Sequence, residues 1–457
     1  MEVLSQAPQP TIKCFHSVDD NGNATKLPYQ EFTPTSSYIS GKNLQSYNFE
    51  NSLENFGGSF SFTIKEDITR NSFEPTFMDE VRPLDMIVIS ESGVESKVDF
   101  IGVVTTVSIG GISSNLNKSV TVSGKSIEWL FLYYNINTDI KACIFQNTEA
   151  NNRIKIDLAN RQATAPITIK DIAETTFKEF KERTEENKEI SNFAIGGIID
   201  LWYKNGIFET TNDQFLYPIS SNLFDTGKVN FIDFIQKILP KPIYEIFGFI
   251  DDFNNPKIAI RKVPFDKPVA KRAIKPVTLT DFTLTRTCDE VYTAFMPYIE
   301  GSSQSPDFYL SLNAAENNGK IKGYNLSDAD ALKTKIYGNQ LLTCSFVGYT
   351  LNEKDNTDTF DVKDVEKLVN DMSNWFGHLD DMYNGDFTLV NITSEQQAKI
   401  GEWISFAQGL FYINTSKHTW NYGDNPMINY QVSRGGKYIN GIFKRLESLS
   451  AAYREFD

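Results

Sequence analysis

The clearest pattern in the chain is an alternation of apolar and polar residues near its end. After a Gly-Asp-Asn-Pro turn at 423–426, every second residue is apolar, namely Ile428, Tyr430 and Val432. Alternation with period two beside a turn of this composition is typical of an antiparallel hairpin with one buried face. The segment therefore predicts β-structure at the end of a barrel or a sandwich.

In the first strand of this hairpin, the apolar and aromatic residues switch from odd-numbered to even-numbered positions. Phe411 and Ile413 occupy odd positions, whereas His418 and Trp420 occupy even positions. One extra residue in a strand exchanges the two faces of that strand. We therefore predict a β-bulge near Asn414–Thr415.

Shorter alternating segments predict another β-region earlier in the chain. Turns rich in glycine and serine separate them, a spacing typical of a small barrel or sandwich. The segments concerned are 38–64, 81–89, 98–108 and 119–124. Before them, the proline-containing residues 1–37 predict an arm or edge element with one short strand at 11–18.

Between about 135 and 240 the pattern becomes helical. Apolar residues lie on one face of the segment 169–180, with charged residues opposite. Asn230, with Asp233 three positions later, predicts the start of a second helix that ends at Pro240. Two β-segments then flank an Asp-Asp-x-Asn-Asn-Pro turn at 251–256, which predicts a hairpin.

A second β-region is predicted from 266 to the end of the chain. Strands are expected within 277–299 and 340–349, with a polar loop at 300–335 between them. The segment 360–383 has the most regular helical pattern in the chain. Its apolar residues recur every three or four positions and indicate core packing: Val362, Val365, Leu368, Met372, Trp375, Leu379 and Met382.

The order of these segments resembles a known family. The residues concerned are FGGSFSFTI at 56–64 with the strands that follow, Arg261-Lys262-Val263-Pro264-Phe265 after the middle hairpin, Gly401-Glu402-Trp403-Ile404, and the final hairpin ending in Ser433-Arg434-Gly435. In this order they are similar to phage baseplate hub proteins of the late-control-protein-D type. Those proteins are related to the hub part of type VI secretion spikes.

The resemblance implies an α+β, mainly β fold with two tail-tube-like β-barrel domains and an intervening helical or mixed region. The expected parts are an N-terminal arm (1–37), a first tube-like barrel (38–134), a middle domain ending in a hairpin (135–265), and a second tube-like barrel (266–457) with an inserted loop (300–335) and helix (360–383).

The same resemblance implies a structural function in the baseplate of a virion tail, assembled in the host cytoplasm. In hubs of this type, three copies close into a ring that joins a hexameric tail tube to a trimeric central spike. The implied partners are two further copies of the chain, the tail tube protein, the central spike protein and other baseplate proteins. DNA or an effector would only pass through the channel of the ring.

Composition and charge are consistent with this expectation. The 457 residues suffice for about three domains, and the net charge of −15 argues against a protein that neutralises nucleic-acid phosphates. No apolar run approaches the length of a membrane span, so no membrane segment is expected. The four cysteines lie far apart in sequence, which favours free thiols over a disulfide or a zinc site.

The sequence offers few candidates for a catalytic, phosphate-binding or metal-binding site. The segment Ser123-Gly124-Lys125-Ser126 lacks the glycine spacing of a phosphate-binding loop, and the acidic turn at 251–256 lacks the glycine and glutamate of a calcium loop. The three histidines, His16, His378 and His418, lie in separate elements. We therefore expect no enzyme activity, no cofactor, and no catalytic, cofactor-binding or metal-binding residue.

Two alternatives remain open from the sequence. A receptor-recognition tail protein that binds carbohydrate would use the many aromatic residues, 34 Phe and 20 Tyr, as sugar platforms. A tail-associated cell-wall hydrolase would use a carboxylate pair or His418 as a general base. For His418, a packed, hydrogen-bonded structural role is the favoured interpretation.

Overall fold

The structure is a computed structural model of the 457-residue chain. It describes residues 10–34, 42–67, 76–91, 97–110, 117–133, 135–136, 156–157, 162–163, 167–168, 173–174, 177, 193–204, 206–210, 214–215, 229–239, 241–300, 333, 335–338, 340–347, 370–390, 397–439 and 442–446. Nearly all of the predicted loop at 300–335, most of the helix predicted at 169–180 and the first part of the helix predicted at 360–383 lie outside these residues.

The fold is mainly β, as predicted. Its strands are β1 (Thr11–Phe15), β2 (Pro28–Phe32), β3 (Lys42–Ser52), β4 (Ser59–Asp67), β5 (Met86–Ser90), β6 (Phe100–Gly110), β7 (Asn117–Ser126), β8 (Asn135–Ile136), β9 (Ile156–Asp157), β10 (Gln162–Ala163), β11 (Ile167–Thr168), β12 (Phe208–Thr210), β13 (Gln214–Phe215), β14 (Val229–Asn230), β15 (Tyr244–Ile250), β16 (Pro256–Lys262), β17 (Ala270–Ala273), β18 (Leu279–Thr285), β19 (Ala294–Glu300), β20 (Leu341–Val347), β21 (Tyr383–Val390), β22 (Trp403–Phe406), β23 (Gly409–Asn421), β24 (Met427–Ile439) and β25 (Ile442–Lys444).

Helices are short and lie between these strands. The α-helices span Phe77–Glu80, Leu130–Tyr133, Phe193–Trp202, Phe231–Ile238 and 370–376, and 3₁₀-helices span Ile127–Trp129, Pro276–Thr278 and Leu379–Asp381. None of the helices in the described part of the chain has the length and apolar character that a membrane span requires.

One 14-stranded sheet organises the molecule. Its strand order is β18-β21-β24-β23-β3-β4-β7-β6-β5-β1-β2; in addition, β22 pairs with both β23 and β17, and β25 pairs with β24. In this order, β1–β7 form one part of the sheet (the first β-region), and β17, β18 and β21–β25 form the other (the second β-region). No closed barrel is detected among the described strands; instead the two regions share a single sheet.

The two β-regions meet where β3 pairs with β23, which we call the seam. Residues Ser46–Ser52 run antiparallel to Thr415–Asn421, with Tyr47 opposite Trp420 and Phe49 opposite His418. Three apolar clusters lie along the sheet: one within the first β-region, one within the second, and a third that extends through the middle of the chain. The seam joins the first two clusters.

The final hairpin confirms the predicted bulge. The register between β23 and β24 shifts between Ile413 and Thr415, and the shift brings Ser416 opposite Tyr430 on the face that also carries Ile413. The bulge also marks a change of partner. Before it, β23 pairs with β22, whereas after it the same edge of β23 pairs with β3. The extra residue therefore lies where the second β-region ends and the seam begins.

The N-terminal segment is the edge element that its sequence predicted. β1 pairs with β5 on one side and with β2 on the other, so the segment extends the first β-region. Ile12, Cys14 and Phe32 are fully buried in the core of that region. The strand is shorter than predicted, because it ends at Phe15 and a turn around Asp19 and Asn23 follows.

In the middle of the chain, the predicted helix start and hairpin are both present. Asn230 is the N-cap of the helix Phe231–Ile238, and its Oδ1 accepts from the backbone N–H of Asp233 at 2.8 Å. β15 and β16 form the predicted hairpin around a turn in which the Asp251 carboxylate accepts from the N–H groups of Phe253 and Asn255. The Asp251 carboxylate therefore stabilises the acidic turn by accepting hydrogen bonds from backbone N–H groups of the same turn.

The helix predicted at 360–383 ends earlier than expected. The described part is α-helical only over 370–376, then turns through a 3₁₀-helix at Leu379–Asp381 before β21 begins at Tyr383. The apolar stripe is nevertheless core packing, because Met372, Trp375 and Met382 are buried. Predicting a helix up to Tyr383 was wrong, because apolar spacing of three to four residues also fits a turn followed by a strand.

The segment 123–126 belongs to β7, not to a phosphate-binding loop. Gly124 lies opposite Phe60 in the sheet, and a Cβ at this position would overlap the carbonyl oxygen of Val103 and the ring of Phe60. The glycine therefore permits close packing within the first β-region, and the strand continues directly into the 3₁₀-helix Ile127–Trp129.

Candidate functional site

A buried polar network lies between the apolar cores of the two β-regions. Its centre is Glu91, immediately after β5. The carboxylate accepts from Tyr47 OH at 2.9 Å and from Gln397 Nε2 at 3.0 Å, and it lies 2.8 Å from His418 Nδ1. Glu91 and His418 are both buried, at 4% and 5% exposure. Buried polar groups need such partners, since an unpaired one costs about 1–3 kcal/mol.

His418 connects this carboxylate to a serine. Its Nε2 lies 2.9 Å from Ser416 Oγ, while its ring stacks on Phe49 across the seam, with ring centroids 4.2 Å apart. The favoured interpretation of His418, a packed and hydrogen-bonded residue, is confirmed. The sequence did not single out Ser416 or Glu91, because a serine two positions before a histidine is common and Glu91 lies 327 residues away.

Serine, histidine and carboxylate are hydrogen-bonded here in the order of a hydrolase triad. Whether these three residues could catalyse hydrolysis depends on the groups around them. A cavity of about 430 Å³ touches Ser416 and His418. However, Ser416 lies on a strand paired on both sides, with Tyr430 opposite it in β24 and Asn51 opposite it in β3. An oxyanion hole needs N–H groups that are free to bind a developing anion. Within the seam, the N–H groups next to Ser416 belong to a continuous sheet, and a structural role explains the network better.

Asp99 extends the network at its edge. One of its carboxylate oxygens accepts from the backbone N–H of Glu91 at 2.7 Å. Burial, together with the nearby negative charge of Glu91, raises the pKa of Asp99 to about 6. Lys97 and His418 act in the opposite direction. With this raised pKa, Asp99 gains a proton in mild acid.

A second buried polar group ties the middle hairpin to the final hairpin. Arg261 of β16 donates from Nε to Glu245 of β15 at 2.7 Å, and Tyr412 OH of β23 donates to the same carboxylate at 2.7 Å. Burial raises the pKa of Glu245, and the guanidinium of Arg261 opposes that shift. Arg261 also donates to the carbonyl of Gly401. Arg261 and Gly401 both belong to motifs that carried the family resemblance.

Arg434, the arginine of the Ser-Arg-Gly motif, is buried where the final hairpin meets the helix 370–376. Its guanidinium lies 3.9 Å from the ring centroid of Phe265 and 4.5 Å from that of Phe376, and it donates to the carbonyl of Trp375. Burial lowers the pKa of Arg434 to about 9. The motif therefore fixes the end of β24 against the rest of the chain.

The remaining candidates of the sequence do not converge on a site. His16 stacks on Tyr29 and contacts the carboxylate of Asp85 at 3.2 Å, within the first β-region. His378 lies near Lys333 in another part of the molecule. Among the residues that the structure describes, no group of His, Cys, Asp and Glu has metal-binding geometry, and Cys14, Cys288 and Cys344 are not in disulfides.

No protein-family model and no curated protein matches the chain. The solved structures that it matches include phage tail proteins and a type VI secretion component. This is the class of protein that the sequence resembles.

The 43 kDa tail protein of prophage MuSo2 from Shewanella oneidensis is 10% identical, with a TM-score of 0.48, and the match covers 93% of this chain and 98% of that one. A tail protein from Neisseria meningitidis is 9% identical with a TM-score of 0.47, covering 95% and 98%. An E. coli type VI secretion component, described as similar to the T4 bacteriophage tail proteins gp27 and gp5, is 8% identical with a TM-score of 0.40, covering 89% and 76%.

Proposed function

We propose that the chain is a structural hub of a phage tail baseplate or a related contractile injection system. In this proposal three copies form a ring that joins a hexameric tail tube to a trimeric central spike. The ring encloses a channel for DNA or an effector. The protein is located in the baseplate of the tail, performs no catalysis and needs no cofactor.

The observation that carries this proposal is the seam. It holds two β-regions side by side in one sheet, so that a single chain supplies two adjacent β-units in fixed relative positions. Three such chains arranged around an axis present six β-units, which matches a six-subunit tube on one side and a threefold spike on the other. Two of the sequence motifs support the same arrangement, because Arg261 and Gly401 meet where the middle hairpin contacts the second β-region.

The ends of the sheet support an assembly as well. Among the described strands, the sheet ends at β18 on one side and at β2 on the other. Open strand edges favour pairing with further chains unless they are covered. In the ring we propose, contacts between neighbouring copies cover these edges, and each β-region completes a tube-like barrel wall. The acidic excess of the chain keeps passing DNA from adhering to the channel.

Native mass spectrometry and light scattering test the assembly. Three chains of 51.8 kDa give a particle of about 155 kDa, expected at high concentration or on co-expression with the cognate spike. Electron microscopy should then show a ring with two similar β-units per chain. A protein that stays monomeric under both conditions contradicts the proposal. Salt-sensitive binding of the ring to duplex DNA at physiological ionic strength would contradict the proposal that passing DNA does not adhere to the channel.

The Ser416–His418–Glu91 arrangement favours one alternative, a tail-associated hydrolase. A fluorophosphonate probe tests it directly, because such probes label a serine only when a neighbouring base activates it. We expect no label on Ser416 by mass spectrometry, and no difference between the native protein and a Ser416→Ala variant in release of cell-wall fragments. Labelling that disappears in His418→Ala favours the hydrolase instead.

A further inference from the structure

The short strand β17 gives the second β-region a further open edge. β17 pairs in parallel with β22, and among the described strands it has no neighbour on its other side. The N–H of Ile274, directly after β17, donates to the carbonyl of Ser405 at 2.9 Å. Backbone groups of successive residues in a strand point to opposite edges, so the N–H and C=O of Ala273 point away from β22. The backbone of β17 can therefore accept another strand.

The residues around this edge carry concentrated positive charge. Residues 267–275 contain four basic residues and no acidic residue, in a chain of net charge −15. Lys271 and Arg272 are exposed, and neither forms an ion pair within the described part of the chain. Two exposed valines flank the basic residues, Val269 at 72% and Val277 at 85% exposure. Facing side chains of like charge destabilise a strand pair and opposite charges stabilise it, so this edge favours an acidic strand.

A β-bulge directs both cations of β17 toward one cavity. The register against β22 shifts between Ala270 and Arg272, so Lys271 is an extra residue in the strand. Neighbouring side chains of a regular strand point to opposite faces, and a bulge changes that direction. Lys271 and Arg272 accordingly both line the cavity of about 430 Å³ that reaches the seam. A strand added to β17 would lie beside the mouth of this cavity.

The carboxylates that line the cavity already have partners within the chain. They are Asp99 with the N–H of Glu91, Asp251 with its own turn, Asp252 with Lys399, and Glu402 with the N–H of Lys399. The guanidinium of Arg272 makes a long contact at 3.3 Å with the carbonyl of Lys271. The two cations of β17 therefore keep donors for a carboxylate from outside the chain.

We propose that β17 binds an extended acidic segment of a partner protein as an added strand. The backbone of the segment pairs with the open edge, and one of its Asp or Glu side chains accepts from Lys271 and Arg272 at the mouth of the cavity. The exposed valines contact apolar side chains of the segment. The site uses an edge other than β18 and β2, which the ring contacts proposed above would cover. A nucleic acid could use the positive charge but not the open edge.

The probe is a fluorescein-labelled heptapeptide of alternating Glu and Val with both ends blocked, and fluorescence anisotropy with the full chain measures its binding. Two matched peptides separate charge from strand pairing. One has Gln in place of Glu, and the other keeps Glu but is N-methylated at its inner residues, so it cannot donate backbone hydrogen bonds. We expect saturable binding of the parent peptide, and binding at least roughly tenfold weaker for each matched peptide.

Variants locate the site on the protein. Arg272→Gln should weaken binding of the parent peptide roughly tenfold. Ala273→Pro removes the outward N–H but keeps every charge, a change that an edge strand tolerates, and should weaken binding similarly. Lys417→Gln, at an exposed lysine of β23 outside the cavity, is the matched control and should have no effect. Circular dichroism and the thermal midpoint show whether each variant folds, and the N-methylated peptide tests strand pairing on the native protein.

Four results overturn the proposal. The first is equal binding of the Glu and Gln peptides, and the second is unchanged affinity in Arg272→Gln, since either means that the cations do not recognise the segment. The third is equal binding of the parent and N-methylated peptides, which leaves charge alone without an added strand. The fourth is absence of binding at millimolar peptide. A single-stranded oligonucleotide that binds more tightly than the Glu peptide, and loses that affinity in Arg272→Gln, would assign the basic residues to nucleic acid instead.

Discussion

Trp420 of the last hairpin stacks on Tyr47 of the third strand, with ring centroids 5.8 Å apart and planes within 18° of each other. The two residues are also opposite each other in the seam. Through this contact, Trp420 is part of the core of the first β-region, although it belongs to a hairpin of the second. Trp420 therefore packs neither in the second core nor opposite Tyr430. Tyr430 lies opposite Ser416, further along the sheet.

The position of Trp420 makes it a test of the seam. Trp420→Ala should lower the free energy of unfolding by about 3–5 kcal/mol, because it leaves a cavity between two aromatic cores. Tyr422→Ala is the matched control, since Tyr422 lies two residues further along and is 58% exposed. Chemical denaturation measures both. Equal small losses in the two variants would show that Trp420 does not fill the first core.

The Glu91–His418 pair should be strongly coupled. Glu91→Leu or His418→Leu alone leaves a buried polar partner unpaired and should cost about 3–5 kcal/mol if the remaining group is charged. The double variant should cost less than the sum of the two, by about 1 kcal/mol or more. A double-mutant cycle from denaturant unfolding measures this difference. Simple additivity would mean that the pair does not interact in solution.

The raised pKa of Asp99 predicts how the stability of the protein depends on pH. Its pKa in the folded state, about 6, lies above its ordinary value of 3.8, so between these values the folded protein binds more protons than the unfolded chain. The stability of the native protein relative to Asp99→Asn should therefore fall as the pH rises from 4 to 6, and stay constant above pH 7. Asn retains an oxygen that accepts from the N–H of Glu91.

Denaturant unfolding at pH 5 and pH 7 measures this effect, and comparison with the variant removes the contribution of other carboxylates. Glu209→Gln, a change at an exposed residue, provides the control. Its stability should change with pH in the same way as that of the native protein. A relative stability of Asp99→Asn that does not change between the two pH values would place the Asp99 carboxyl in water.

The N-cap of the helix Phe231–Ile238 offers a smaller, local test. Asn230→Ala removes the acceptor for the N–H of Asp233 and should cost about 1 kcal/mol. Asn230→Asp keeps an acceptor in the same place and should retain most of the stability. Thermal unfolding of the two variants distinguishes them. Equal losses would mean that the side chain of Asn230 does not cap the helix.

Local chemistry explains what the sequence predicts correctly. The bulge in β23 follows from a change of parity over a few residues, and the N-cap at Asn230 follows from two side chains three positions apart. In both cases the interacting groups are neighbours in sequence. The hairpin of β15 and β16 is another such case, since its turn residues bond to each other.

The seam could not be predicted in this way. It depends on a pairing between β3 and β23, and its network depends on Glu91, Gln397 and His418, which come from three separate parts of the chain. Periodicity shows which face of a strand is buried but not which strand lies beside it. The family resemblance implied two tube-like barrels, whereas the described strands of the two regions share one sheet.

The seam also sets the timing of folding during synthesis. Ser52 and Thr415, which are paired in it, are separated by 363 residues. At the usual rate of 5–20 residues per second, the ribosome needs roughly 20–70 s to deliver β23 after β3 has emerged. During that interval the outer edge of β3 is open, and the core that will receive Trp420 is incomplete. The first β-region gains its last neighbouring strand only when the final hairpin has left the ribosome, so the nascent chain is exposed to aggregation throughout this interval.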